Sequence, residues 1–417
     1  MKLMQTPYSW KNSILIFFLF HGALLSSYAQ TTNTGTLYVS PQTVFSTIDD
    51  FANTPSGEFF NDGDAFIYAD FSNDGLVDFY QETGTTRFIG STIQQITGSE
   101  LSAFYNIVFD NYSNEVPFHL SGEIGVFGQA NFQQGIVDVD NYMGSFLFDT
   151  QASHQNTSDN SHVDGAVEKY GDTDFIYPIG DKGYYRFAGI SAPSSGSSIY
   201  SAKYFFEDPN GIYNRASKQD HIDIVNDQEY WTIQPLTPAQ DILITLSWSD
   251  ATTPSELLIE PVEDNLHIVR WDDQNRIWVD EGGVADLEKQ TITTNVDTFG
   301  VFTLALVKSQ KNNTVKVFNA ITRNSDGIND RFVIDFGDVQ GVQKVQVEIY
   351  NRWGVKVFET DNYGHGGDFF DGYSKGRLTV REGERLPAGT YFYVLNYQYN
   401  ENEEVRYNKQ AGYLYLY

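Results

Sequence analysis

The sequence predicts an all-β protein, and three observations carry that expectation. Its 417 residues include 27 Tyr, 31 Phe and 35 Gly but only 3 Met, a composition suited to turn-rich sheets. Short β-prone runs are set apart by clusters of Asn, Asp, Gly and Ser. No stretch sustains the 3.6-residue apolar period of an amphipathic helix. The length is enough for two or three domains, each with its own core.

Residues 1–29 have the layout of a secretory signal peptide. Lys2 and Lys11 flank a polar start, Ile14 to Phe20 open an apolar run, and Ser27-Tyr28-Ala29 places small residues for cleavage between Ala29 and Gln30. The run is about twelve residues, well short of the ~20 that span a bilayer. No later stretch is as long and apolar, so no transmembrane helix is expected. Cleavage would remove two lysines and no acids, changing the formal charge from −29 to −31.

Residues 30–199 form an acidic, β-rich passenger region. Phe66 to Ala69, Leu76 to Tyr80, Phe104 to Phe109, Gly135 to Val139 and Phe146 to Phe148 are its strand candidates. Asn-Asp-Gly at 61–63 and again at 73–75 fits irregular rungs or hairpins. A solenoid would show a steadier period, so an irregular β-helix and a β-sandwich both stay open here. Asp174 to Ile179, Gly180-Asp181-Lys182-Gly183 and Tyr184 to Phe187 make a hairpin.

Residues 200–308 read as a middle β-sandwich of about seven short strands. They contain Trp231, Trp248, Trp271 and Trp278. Core packing is the favoured role for these rings, with a sugar-stacking platform as the alternative. The polar stretch at about 309–313 reads as a linker. Residues 30–311 hold 12 basic and 41 acidic residues, whereas 312–417 hold 12 and 14. The last hundred residues, 309–417, are therefore a unit of different character.

Composition excludes several function classes. With no cysteine there is no thiol nucleophile, cysteine-ligated cluster, disulfide or lipidated Cys. The acidic balance opposes binding to nucleic-acid phosphates and to anionic membrane surfaces. No catalytic motif of the serine-hydrolase, zinc-protease, P-loop or dinucleotide-binding kind occurs, so a non-enzymatic role is expected. Two loops have the oxygen-rich composition of calcium sites. Asp70, Ser72, Asp74 and Asp78 surround Gly75 in the first; Asn324, Asp326, Asn329 and Asp330 surround Gly327 in the second. Calcium is thus the one cofactor expected.

The C-terminal unit carries the most specific pattern. Val345 to Tyr350 alternates as a strand, Asn351-Arg352-Trp353-Gly354 turns, and Val355 to Phe358 returns. Phe370-Asp371-Gly372 follows, then Leu386-Pro387-Ala388-Gly389-Thr390-Tyr391 leading an aromatic strand, and the chain closes on Gly412 to Tyr417. The pattern fits a seven-stranded, immunoglobulin-like β-sandwich. The closing alternation alone would also suit the last strand of an outer-membrane barrel, but the upstream strands lack its ten-residue dyad segments.

These motifs, in this order, resemble the gliding-motility-associated C-terminal domain, the type B sorting domain of the Bacteroidetes type IX secretion system. Arg323 and Ser325 depart from the family's P-N-G-D-G-x-N-D loop, while Gly327 is kept. The resemblance implies a secreted or cell-surface protein with the type IX secretion machinery as its partner. The passenger is then expected to act in adhesion, gliding-related surface contact or matrix contact. Binding or degradation of extracellular polysaccharide is the alternative.

Overall fold

The computed structural model describes residues 30–307, 315–324, 327, 329–337, 339–351, 354–375, 385–401 and 404–417. The leader through Ala29, the linker at about 309–313, Asp326, Arg352 and Trp353 lie outside the described residues. Gln30 is the first residue of the first strand.

Residues 30–181 wind into a β-solenoid of three parallel sheets. Each full rung contributes one strand to each sheet: Gln30–Asn33, Thr36–Val39 and Val44–Thr47 make the first, and Asp50–Asn53, Glu58–Asn61 and Asp64–Ile67 the second. The strands pair in parallel with the rung below and the rung above. Strands of two to six residues suffice because each turns a corner as soon as it ends. Inward positions alternate with outward ones along each strand.

Parallel register stacks like on like. Ile67, Phe88, Phe109 and Phe132 form one inward column, in which the Phe88 and Phe109 rings stack with centroids 6.1 Å apart. Phe109 and Phe132 follow at 5.4 Å. Phe51, Phe71, Ile96 and Leu120 form another. A polar column runs along one corner. Asn33 Nδ2 donates to Asn53 Oδ1 at 2.9 Å, and Asn53 Nδ2 donates to Asn73 Oδ1 at 2.8 Å. Buried amides ordered in this way supply the corner carbonyls with donors that water cannot reach. One rung on, the column gives way to Gly98, where a Cβ would lie 2.0 Å from the Asn73 carbonyl oxygen.

The second sheet does not stop where the solenoid does. After the parallel strand Val167–Tyr170 it continues antiparallel through Ile199–Phe205, Tyr230–Pro235, Gly300–Val307, Leu266–Asp272 and Ile277–Gly282. Facing it is a five-stranded sheet of Phe175–Ile176, Ala188–Ile190, Ile242–Ser247, Thr291–Val296 and Val284–Asp286. These two sheets are the middle sandwich. Two strands of its second sheet come from upstream of residue 200, and one hydrophobic core runs from Val39 in the first rung to Leu306. Trp231, Trp248, Trp271 and Trp278 are all buried, which suits packing and leaves no ring face free for a sugar.

The C-terminal unit has seven strands in two sheets among its described residues. Ala320–Ile321, Glu404–Leu416, Gly389–Glu401, Gln343–Tyr350 and Lys356–Thr360 form one sheet, and Lys316–Phe318 pairs with Val333–Asp335 in the other. Alternation along the aromatic strand divides its side chains. Tyr391, Tyr393, Leu395 and Tyr397 enter the unit's own core, while Phe392 and Val394 pack with Leu243 of the middle sandwich and with Tyr350. No helix among the described residues is long and apolar enough to cross a membrane.

Candidate functional site

One corner of the solenoid, between its second and third sheets, opens into a cavity of about 490 Å³ lined by ten residues from successive rungs. Phe79, Tyr105 and Phe127 each follow a second-sheet strand directly, so the parallel register places one half-buried ring per rung. The Phe79 centroid lies 5.5 Å from Tyr105 and 5.6 Å from Phe127. Glu82, Asn106, Gln129, Asp149, Gln151 and Ser153 supply the polar wall, and Gly128 completes it.

Backbone bonds between rungs fix this wall. Gly128 N donates to the Tyr105 carbonyl at 2.7 Å, Gln129 N to Asn106 Oδ1 at 3.0 Å, and Ser153 N to the Gly128 carbonyl at 2.9 Å. A Cβ on Gly128 would lie 2.8 Å from both Asn106 Oδ1 and the Tyr105 oxygen, so only glycine fits between those rungs. On the flank, Asp62 Oδ1 accepts from Tyr80 N and Gln81 N at 2.9 and 2.7 Å, pinning the turn that carries Phe79 and Glu82. Behind the opposite end, the ammonium of buried Lys169 holds the Thr150 carbonyl at 2.7 Å and the Asp149 carbonyl beside it. Burial pushes the Lys169 pKa down to about 8 against the pull of Asp149, Asp172 and Asp174. The groove thus combines three aromatic rings with two carboxylates, and hydrogen bonds between rungs fix its wall.

The first oxygen-rich loop spans the corner between Phe71–Asn73 and Leu76–Asp78. The structure does not draw its carboxylates together. Asp70 Oδ1 accepts from Gln95 N at 2.7 Å, Asp74 Oδ1 accepts from Ser99 N at 3.1 Å, and Asp78 Oδ1 accepts from Phe79 N at 2.8 Å. Ser72 lies in the strand itself. In the second loop, Asp330 Oδ2 accepts from Gly327 N at 2.7 Å, and Asn329 holds a positive φ of 53° while its carbonyl accepts from Thr322 N. Asn324 borders the same bend. Among the described residues, no three His, Asp or Glu side chains are grouped as a metal site. Each carboxylate of the first loop accepts a backbone donor and keeps further lone pairs, so differential scanning calorimetry with millimolar calcium tests the expected site: a raised thermal midpoint would support it, and an unchanged midpoint would count against it.

The C-terminal motif residues build turns and an interface. Asn351 Oδ1 accepts from Val355 N at 2.9 Å, and Gly354 N donates to the Asn351 carbonyl at 2.9 Å. Gly354 has φ +76°, and a Cβ there would sit 2.0 Å from Ser191 Cβ of the middle sandwich. Tyr391 closes the bend before its strand by donating to the Pro387 carbonyl at 2.9 Å. Leu386 is buried in the unit's core, Gly389 takes φ +153°, and Thr390 pairs with Tyr415 in the final ladder. Tyr350 donates to Glu348 at 2.9 Å. Arg323, at the position where the sorting-family loop carries proline, donates to the Tyr417 carbonyl at 2.9 and 2.8 Å and to that of Leu386 at 2.5 Å.

Across the interface, Lys409 Nζ donates to the Asn295 carbonyl at 2.5 Å and pairs with Glu281 at 3.3 Å, which also pairs with Arg270 at 2.8 Å. Next to Glu281, Asp280 accepts from His221 Nε2 at 2.9 Å and His267 Nδ1 at 2.8 Å. Burial opposes the His267 charge, but the Asp280 charge and hydrogen bond outweigh it and raise its pKa above the usual value. Burial likewise opposes the Asp280 charge, yet the two histidines and the Gly282 N–H hold its pKa well below the usual range. The His267 contribution is full below its unfolded pKa of 6.5 and fades as pH rises through the raised folded value. The Asp280 contribution is full above its unfolded pKa of 3.8 and fades as pH falls through the depressed one. Stability from this cluster is expected to peak between about pH 4 and 6.5. Urea titrations across pH should show that maximum, and Asp280→Asn should flatten it.

Residues 315–416 match the family model of the CHU_C type IX secretion signal domain. A search of the curated proteins finds no match, and a search of the solved structures finds none. The groove residues were not legible as a motif. Phe79, Tyr105 and Phe127 stand 26 and 22 residues apart, and the one signal was an aromatic residue just after three successive second-sheet strands.

Proposed function

We propose that this chain is exported to the cell surface or beyond through its type IX secretion signal domain, and that its solenoid makes non-enzymatic contact there with surface matrix or polysaccharide. The observation that carries the export reading is the match over residues 315–416, which coincides with a unit that has its own sheets and core. The leader's pattern accounts for passage through the inner membrane. The acidic passenger suits a protein that must stay soluble outside the cell. The groove supports the contact reading, because aromatic rings beside amides and hydroxyls are the side chains that recognise sugars. Deleting residues 312–417 and fractionating cells tests the export step. The expected result is a passenger retained inside the outer membrane, and normal surface delivery would overturn the reading. A second reading, polysaccharide cleavage, draws on the presence of both Glu82 and Asp149 in the groove, since glycosidases flank the scissile bond with two carboxyl groups.

A further inference from the structure

The side chains of the corner groove also restrict what it can hold. None of its ten lining residues is Lys, Arg or His, and two of them, Glu82 and Asp149, are acidic. The nearby cation, Lys169, is 1% exposed and spends its ammonium on the carbonyls of Asp149 and Thr150, so it cannot meet a ligand. A uronic-acid or sulfated chain would enter a field of its own sign with no counter-charge. The half-buried rings of Phe79, Tyr105 and Phe127 come from three successive rungs and converge into one aromatic cluster, the Phe79 ring meeting the other two at 5.5 and 5.6 Å. Gln129, Gln151 and Ser153 offer donors and acceptors in the same cavity.

We propose that this groove binds an uncharged polysaccharide strand. The proposal rests on the reading of the solenoid as a matrix-contacting passenger and names the chemical class it contacts. Binding comes from ring faces stacking on the aromatic cluster and from hydroxyls bonding to the amide wall. Selectivity comes from the two carboxylates, which reject acidic chains.

The test is isothermal titration calorimetry of the secreted chain with neutral β-1,4- and β-1,3-linked glucan hexasaccharides and with a polyuronate hexasaccharide. A neutral strand should bind and the polyuronate should not. Tyr105→Ala should weaken neutral binding at least tenfold while the thermal midpoint of the sandwich holds. Should that variant misfold, the pair Glu82→Gln with Asp149→Asn serves instead: it should admit the polyuronate that the native chain rejects. Tighter binding of the polyuronate by the native chain would overturn the proposal, as would the absence of binding by every neutral strand. Neutral binding undiminished by Tyr105→Ala, or a polyuronate still excluded after the two carboxylate substitutions, would also overturn it, and would leave the broader matrix-contact reading standing with its site elsewhere. Export is measured separately by the deletion of residues 312–417, so the two readings fail independently.

Discussion

Phe109→Ala is expected to destabilise the solenoid by about 3–5 kcal/mol, the range for truncating a fully buried Phe. Phe109 has no exposed surface. Its ring stacks on Phe88 and Phe132 in its own column and meets Phe118 and Phe146 from the other two sheets, at 5.1 and 6.0 Å. It therefore ties three sheets and four rungs together at one point. Removing the ring leaves a cavity whose walls are backbone ladders, and these cannot close inward without breaking register on both neighbouring rungs. Chemical denaturation followed by circular dichroism measures the loss. Tyr112→Ala is a control on the neighbouring surface, because Tyr112 is 68% exposed and its truncation should change stability by no more than about 0.5 kcal/mol. Equal effects of the two substitutions would show that the column does not hold the solenoid together.

Asn53→Leu should cost about 2–3 kcal/mol despite conserving volume, since it leaves buried polar groups without partners. Asn53 accepts from Asn33 and donates to Asn73 Oδ1, and it also reaches the carbonyls of Leu76 at 3.0 Å and Gly57 at 3.3 Å. Leucine supplies none of these bonds. A double-mutant cycle with Asn73→Leu separates the amide column from simple loss of polarity. Members of one hydrogen-bonded chain couple by about 0.5–3 kcal/mol, so the double variant should lose less than the two single losses added together. Strict additivity would mean that each amide serves only its own corner.

These two positions also mark what the sequence disclosed. The all-β class was legible from aromatic content and turn clusters, and the C-terminal unit from ordered motifs and a change in charge. The solenoid was legible only as one of two alternatives, because its rungs are uneven. First-sheet strands begin as close as Val163 and Ile179 and as far apart as Val137 and Val163, intervals of 16 and 26 residues. The Asn-Asp-Gly triplets pointed to the wrong repeat. Asn61 ends a second-sheet strand and Asn73 ends a first-sheet strand one rung later, so their twelve-residue spacing joins different corners. The true period stood in Asn33, Asn53 and Asn73, at intervals of twenty.

The start of the sandwich was hidden for a different reason. Phe175–Ile176 and Ala188–Ile190 read as passenger strands by position, yet they pair into the sandwich's second sheet. Only long-range pairing with Ile242–Ser247 reveals their membership. The groove was invisible because its residues come from four rungs and carry no shared local pattern. The oxygen-rich loop at 70–78 was visible in composition, whereas the bonds of Asp70 and Asp74 to the next rung's backbone were not.

The continuous sheet that joins solenoid to sandwich sets the direction in which the molecule loosens. The backbone of each rung pairs only with its neighbours, so its protection depends on what lies on either side. At one end, the antiparallel strand Ile199–Phe205 clasps Val167–Tyr170 and anchors the last rungs to a broad core. At the other, among the described residues, Gln30–Asn33, Thr36–Val39 and Val44–Thr47 are paired on one side only. Opening therefore starts at the first rung and travels toward the sandwich as a moving front. The protein behaves like a zipper with one fixed end, and its amide protons should exchange in order of their distance from that anchor.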